Sequence, residues 1–258
     1  MGKPLILYDN RLNDGTPVAT TTDTGYDVLN LKDLRSYTFW QAANTTTPCY
    51  ITVDCGSAKS ADCLGIFKHN FNTIGASISV ECSSDNFASD TTVALAAFAP
   101  ATDKAILKTF TTVSKRYWRL KINGTLSAKP YMAILMLGSK LELSHEPDTP
   151  FQLIDEGVES ETSKSNAGHI LGSVIFYHPI EIICKISWLA RTWVTDTFKP
   201  FWDNHGSLMK PFFFAWDLTN YSTYIYWAKF QNNARFKIPL SISPYVDSLE
   251  LNMEAARE

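Results

Sequence analysis

The chain has 258 residues, of which 45% are hydrophobic and 13% aromatic, enough for one large domain or two of ordinary size with packed cores. Charged residues make up 19%, the net charge is -3 and no dense Lys/Arg run occurs, which disfavours a phosphate-neutralising nucleic-acid surface. No apolar run reaches the ~18 residues of a membrane helix, and the opening MGKPLILYDN has no secretory h-region and, with Ile6 in sixth place, no myristoylation pattern.

The first expected strand is PLILY. After a tract of Thr, Asp and Gly comes NLKDLRSYTFWQA (30–42), whose apolar residues miss a single helical face. It reads as a turn that delivers Trp40 into the start of a β-domain. YITVDCG (50–56) alternates and ends at Gly56, and ADCLGIFKHN follows the polar break SAKS. ASISVECSSDNF (76–87) alternates and then turns; AILKTFTTV (105–113), RYWRLKING (116–124) and YMAILMLGSKLEL (131–143) complete the set. Short apolar runs separated by Thr, Ser, Gly and Asn predict an all-β sandwich or jelly roll over residues 1–143.

Residues 144–168 are polar, carry Pro147 and Pro150, and read as a linker or extended arm. HILGSVIFYHPIEIICKISW is strand-like and broken at Pro179. SWLARTWVTDTFKPFWDNHG predicts a helix over about 187–205, kinked or restarted at Pro200 and closed by Asn204 and Gly206. KPFFFAWD is an apolar strand, TYIYWAKF-QNNA-RFKIPLSI a hairpin, and DSLELNMEA a last alternating strand. Residues 169–258 therefore read as a smaller β-domain with one packed helix, and the whole as mainly β.

Five cysteines (Cys49, Cys55, Cys63, Cys82, Cys184) lie 6, 8 and 19 residues apart over the first four, with no C-x-x-C. Cys55 is in phase with Ile51 and Val53, and Cys82 with Ile78 and Val80, the pattern of small buried hydrophobes in a reducing compartment. A metal centre would gather thiolates at shorter spacing; a metal-carrying role remains an alternative with a spectroscopic test. G-x-S-x-G, H-E-x-x-H, Walker and G-x-G-x-x-G motifs are absent, and the five histidines have no ligand spacing. Asp54 with Asp62, and Glu159 with Glu161, sit on a turn and a polar linker. The expectation is a protein that is not an enzyme and holds no cofactor.

The order NLKD, FWQA, YITVDCGSAKSADCLGI, SISVECSSDNF and KRYWRLKI resembles the discoidin, or F5/8 type C, branch of the galactose-binding-like jelly rolls. The resemblance implies that Trp40 plugs the base of the sandwich. It also implies that an Arg of the Arg116–Trp118–Arg119 strand forms a structural pair, with Asp54 as the expected partner, and that sugars or lipid head groups bind at loops such as HNFNT (69–73) and NGTLS (123–127). Asn70, Phe71 and Asn72 are the carbohydrate candidates, the Phe as platform and the amides as hydrogen-bonding groups.

The second domain, from WLARTWVTDTFKPFWDNHG to SLMKPFFFAWD, is similar to minor tail and distal-tail proteins of long-tailed bacteriophages, with Phe201, Gly206 and Phe212 to Phe214 in comparable places. That likeness implies a structural component of a tail tip or baseplate in the virion. It would be made in the host cytoplasm, form a homo-oligomeric ring with other tail proteins as partners, and contact a host surface glycan. Trp188, Trp193, Trp202, Phe213, Trp216 and Trp227 are the expected interface contacts. The alternative is a carbohydrate-binding module or receptor-binding adhesin.

Overall fold

The structure, a computed structural model, describes residues 2–151, 155–237 and 245–256. Its strands, in chain order, begin with β1 (Leu5–Leu7), β2 (Val18–Ala19), β3 (Trp40–Gln41), β4 (Cys49–His69), β5 (Ser77–Ser83), β6 (Thr92–Phe98), β7 (Ile106–Asn123), β8 (Tyr131–Gly138) and β9 (Lys140–Glu142). They continue with β10 (Asp155–Glu156), β11 (Glu159–Lys164), β12 (Ile170–Tyr177), β13 (Ile180–Ala190), β14 (Phe212–Ala215), β15 (Ile225–Phe230) and β16 (Tyr245–Ala256). The architecture is mainly β, with a sandwich and, among the described residues, one helical segment longer than a 3-10 turn, as expected. Two compact units are formed, Met1–Leu143 with Phe212–Ile225, and Ser144–Pro211 with Tyr226–Arg257.

In the first unit an antiparallel network runs β3-β8-β4-β7-β5-β6, with β2 on β4. Two pairs of expected strands are each one long strand. YITVDCG and ADCLGIFKHN are both β4, and AILKTFTTV and RYWRLKING are both β7. The polar SAKS stretch does not end β4; it lies beside a register shift between Asp54 and Lys59, next to Gly56 at φ +71°. Such a bulge bends a strand without terminating it, so β4 pairs with β7 along both of its halves and with β8 over Cys63–His69. The alternate side chains of β4, β5, β7 and β8 meet in one core that includes Trp40, Phe71, Ile78, Trp118, Ile122 and Met132. Cys55 and Cys82 are in that core, and all five cysteines are buried. The half-exposed strand β6 was not among the sequence expectations.

Strand β14, expected in the smaller domain, belongs to the first unit. It pairs with β1 (Leu5↔Ala215, Leu7↔Phe213), and β1 pairs with β9 on its other side. Both strands are apolar throughout and all their residues are buried, the pattern of interior strands covered on both faces. Gly65 is required by the same packing, because a Cβ there would lie 2.6 Å from the Phe213 ring.

In the second unit β13 pairs antiparallel with β16 from Ile180↔Ala255 to Ala190↔Tyr245, β15 flanks β16, and β10 flanks β13. The expected helix start at 187 is corrected. Ser187, Leu189 and Ala190 still pair with β16, and the left-handed Trp188, left out of the register, lets Ile186 and Leu189 both be buried. The helical segment is α1 (Arg191–Trp193), a π turn (Val194–Phe198) and α2 (Lys199–Asn204). Pro200 lies in the first turn of α2, where its missing N–H and its ring are tolerated, and the wider π turn before it absorbs the mismatch. Phe198 and Phe201 are fully buried and meet edge to face at 5.4 Å, with Phe230 5.8 Å from Phe201. Gly206 admits no Cβ, which would sit 2.6 Å from Phe230.

The segment 144–168 is not a plain linker. Residues 155–156 are β10, and Glu159–Lys164 is β11, paired with β12 in a two-stranded sheet. The expected second hairpin strand RFKIPLSI lies mostly outside the described residues, and its first three residues, 235–237, are not in a strand.

Candidate functional site

The Phe39–Trp40 pair organises one end of the first unit. Adjacent residues in extended chain face opposite ways. Trp40 is fully buried, its Nε1 donating to Thr22 Oγ1 at 3.3 Å, while Phe39 is half-buried and turns outward. The preceding loop is built by short acidic side chains that accept backbone hydrogen bonds. Asp27 accepts from Leu29 N (2.8 Å) at the start of the 3-10 turn Val28–Lys32. Asp33 accepts from Arg35 N (2.8 Å) and, through its other oxygen, from the Thr38 hydroxyl (2.7 Å). Asp23 accepts from Lys129 Nζ at 2.6 Å, which ties this loop to the start of β8, and the ion pair lowers the Asp23 carboxyl's pKa.

This scaffold shapes an open cleft of about 730 Å³. Its aromatic floor is a run of three rings: Tyr26 stacks on Phe39 (4.8 Å, 29°), and Phe39 tilts against Tyr131 (5.5 Å, 52°). Tyr37, 73% exposed, stands at the rim. Gln41, Ser36, Lys68, His69 and Asp103 supply polar groups. Lys68 stands at a left-handed position with φ +50° near the end of β4. Asp103 is positioned by its own acceptor bonds, from Asn72 N (2.7 Å), Thr73 N (3.2 Å) and the Thr73 hydroxyl.

His69 has both ring nitrogens engaged. Nε2 donates to Lys104 O at 2.9 Å, and Nδ1 accepts from Phe71 N at 3.2 Å, an arrangement that needs the neutral ring. Burial lowers its pKa, in keeping with that assignment. The imidazole is a strut between two loops and is committed to holding them. The cleft thus offers stacking faces, an amide, a hydroxyl, a carboxylate and an ammonium, a set suited to a flat polar ligand.

The sequence candidates fall differently. Phe71 is fully buried, stacked on His69 at 4.9 Å, so it presents no platform and is corrected to a core residue. Asn70 clamps the start of β8, donating to Lys129 O (2.9 Å) and accepting from Tyr131 N (3.0 Å). Asn72 is exposed and turns its backbone N–H to Asp103. In the 123–127 loop, Gly124 O accepts from Thr47 Oγ1 (2.9 Å) and Ser127 N donates to Ile74 O (3.1 Å), so that loop braces its neighbours. The rings that line the cleft were not singled out in sequence. The available signal was FWQA itself: once Trp40 is assigned to the core, Phe39 and Gln41 must face the other way.

Asp54 and Arg116 do form a bidentate pair, with Nε and Nη2 each 2.7 Å from a carboxylate oxygen. It lies at the surface, both side chains 44% exposed, and Arg116 holds the Asp54 carboxyl down to about 2. Arg119 is not a partner of Asp54. Its guanidinium lies 4.1 Å from the Tyr50 ring centroid and 3.8 Å from that of Phe87, and its Nε donates to Glu81 at 2.7 Å. Burial raises the Glu81 pKa, but the bonds from Arg119 and Lys121 outweigh it and hold the carboxyl below its usual range.

Of the six aromatic interface candidates, Phe213, Trp216 and Trp227 are buried and serve cores. Trp216 stacks on Tyr221 at 4.7 Å. Trp193 and Trp202 are half-buried, Trp193 against Phe198 and Trp202 against Phe230. Trp188 is 68% exposed, at a left-handed position (φ +60°) in β13.

No protein-family profile matches the chain, and no curated protein does. Among solved structures it is similar to carbohydrate-binding modules over about half its length. One is chitosan-binding module 1 of a chitosanase/glucanase from Paenibacillus sp. IK-5, at 18% identity, covering 50% of this chain and 98% of that one with a TM-score of 0.41. Another is the family 32 module of NanJ from C. perfringens, in complex with galactose, at 13% identity, covering 52% and 98% with a TM-score of 0.42. A third is the CBM32 of AlyQ in complex with 4,5-unsaturated mannuronic acid, at 23% identity, covering 51% and 96% with a TM-score of 0.40.

Proposed function

We propose that the first unit is a non-catalytic carbohydrate-binding module whose ligand lies on the Tyr26–Phe39–Tyr131 floor. The observation that carries this reading is the run of three rings in an open cleft edged by Gln41, Lys68 and Asp103. A pyranose has an apolar C–H face and an equatorial rim of hydroxyls. The face stacks on aromatic rings, and the rim exchanges hydrogen bonds with an amide, an ammonium and a carboxylate. The discoidin-like order of motifs in the first half supports the same reading. His69 supplies no proton in this scheme, since both of its nitrogens are already bonded.

A second reading places the chain in a bacteriophage tail tip or baseplate, as a distal-tail or minor tail protein of the virion. There it would act by assembly with copies and other tail proteins while the sandwich meets a host surface glycan. One observation favours it: the second unit carries a hairpin whose every residue in β11 and β12 is exposed, with large apolar side chains among them. A protein that works alone has no use for such a surface.

The test of the first reading is a glycan array followed by titration calorimetry on the best binder. Phe39→Ala and Tyr131→Ala each weaken binding about tenfold or more, while Asn72→Ala leaves the affinity unchanged. If the wild-type chain retains no glycan, or if both ring truncations bind as the wild type does, the cleft is not a sugar site.

A further inference from the structure

Strand β12 carries Ile170, Leu171, Val174, Ile175, Phe176 and Tyr177, each between 57 and 70% exposed. Val174 and Ile175 are neighbours in an extended strand, so the apolar surface covers both faces of the hairpin. Its partner β11 has the sequence ESETSK, with Glu159, Glu161 and Lys164 and no large apolar residue. The two strands pair antiparallel from Glu159↔Tyr177 to Lys164↔Ile170 as a two-stranded sheet. The far edge of β12 therefore has no strand against it among the described residues.

These two strands have the compositions of different places in a sheet. Charged, polar strands are used at edges, where they discourage further pairing. Strands apolar on both faces are interior strands. In the isolated chain β11 is at an edge, as its composition asks, but β12 is also at an edge, where its composition does not belong. A two-stranded hairpin is at best marginally stable in water, and exposed apolar patches of this extent mark interaction surfaces.

We infer that the β11–β12 hairpin is an assembly arm and that its occupant is a second copy of this chain, docked along the free edge of β12. Self-pairing of β12 about a two-fold axis gives the order β11-β12-β12-β11. Both apolar strands become interior and both acidic strands stay outside. A two-fold contact must be self-complementary, and β12 meets that condition because it carries no charge and so opposes no like charges to itself. The six side chains expose on the order of 800 Å² per copy over the two faces of the hairpin, and edge pairing covers the part of it that flanks the axis. This inference is independent of the sugar cleft.

Sedimentation velocity on the full chain, from ~1 to ~100 µM, tests it. The wild type sediments as a multiple of its 28.9 kDa monomer. The double variant Val174→Glu/Ile175→Glu brings like charges together across the axis and sediments at the monomer mass, its association weakened about a hundredfold or more. Thr162→Lys, on the outer strand, keeps the wild-type mass. Equal thermal midpoints for diluted, monomeric wild type and the double variant establish that the fold survives, and glycan binding measured in parallel separates a failure of the arm from a failure of the cleft. A wild-type chain that is monomeric throughout, a double variant that keeps the wild-type mass, or a monomer that instead partitions through these side chains onto phosphatidylcholine vesicles would overturn the inference.

Discussion

Strands β8 (YMAILMLG) and β12 (ILGSVIFY) are both eight residues long and rich in large apolar side chains, yet seven residues of β8 are buried and all eight of β12 are exposed. β8 lies between β3 and β4, and its inner row fills the core of the sandwich. Among the described residues, β12 has one polar strand beside it and no layer over it. The difference teaches that apolarity along a strand demands a cover but does not say whether the chain's own fold supplies it. Where the fold does not, the requirement passes to another molecule.

The comparison breaks most visibly at the covered positions. Trp118 is fully buried in the sandwich core, its Nε1 donating to Lys115 O at 3.0 Å. Trp118→Ala should cost about 3–5 kcal/mol in urea unfolding. A loss below about 1 kcal/mol would mean that the sandwich does not depend on this core.

Next in size is a pH effect in the second unit. His205 is buried, its Nε2 2.9 Å from Pro211 O, and burial lowers its pKa to about 4. The unfolded chain protonates near 6.5, so the unfolded state takes up the proton first as pH falls. The neutral folded form therefore has its full advantage above about pH 6.5 and loses about 3 kcal/mol as the pH drops toward 4. The wild type should lose more stability than His205→Asn between pH 7.5 and 4.5. Parallel pH profiles for the two proteins would show that His205 is not the group responsible.

A paired substitution sharpens the β8–β12 contrast directly. Ile134→Val in β8 removes one methylene from a fully buried site and costs about 1 kcal/mol. Ile175→Val in β12 makes the same chemical change with no measurable effect on the unfolding of the monomer, and shows only in the association constant. Smallest of all is the surface pair: Arg116→Ala breaks an exposed ion pair and should leave the thermal midpoint within error, because solvent and side-chain entropy offset most of its attraction.

Much of the fold was legible in the chain. Period-two alternation marked β4, β5 and β16, and strand-type runs marked β1, β7, β8, β13 and β14. The site was less legible because it is assembled from distant segments. Tyr26 and Phe39 come from one loop, Lys68 from the end of β4, Asp103 from another loop and Tyr131 from β8. The resemblance pointed to HNFNT as a binding loop, but the same residues serve local structure: Asn70 clamps β8, and Phe71 fills the core.

The amino-acid sequence by itself determined that the chain would be built from strands, and its resemblance to discoidin-like jelly rolls implied that Trp40 would be interior and that Asp54 would pair with an Arg of the Arg116–Arg119 strand. The first follows from short-range alternation, and the other two follow from the order of motifs along the chain. Only the tertiary structure decided that FFFA would pair with the N-terminal strand, that Arg119 would go to Glu81 between two rings, and that β12 would be left uncovered. Those outcomes depend on which distant surfaces meet, and a periodic pattern specifies that a face must be buried without naming the face that buries it.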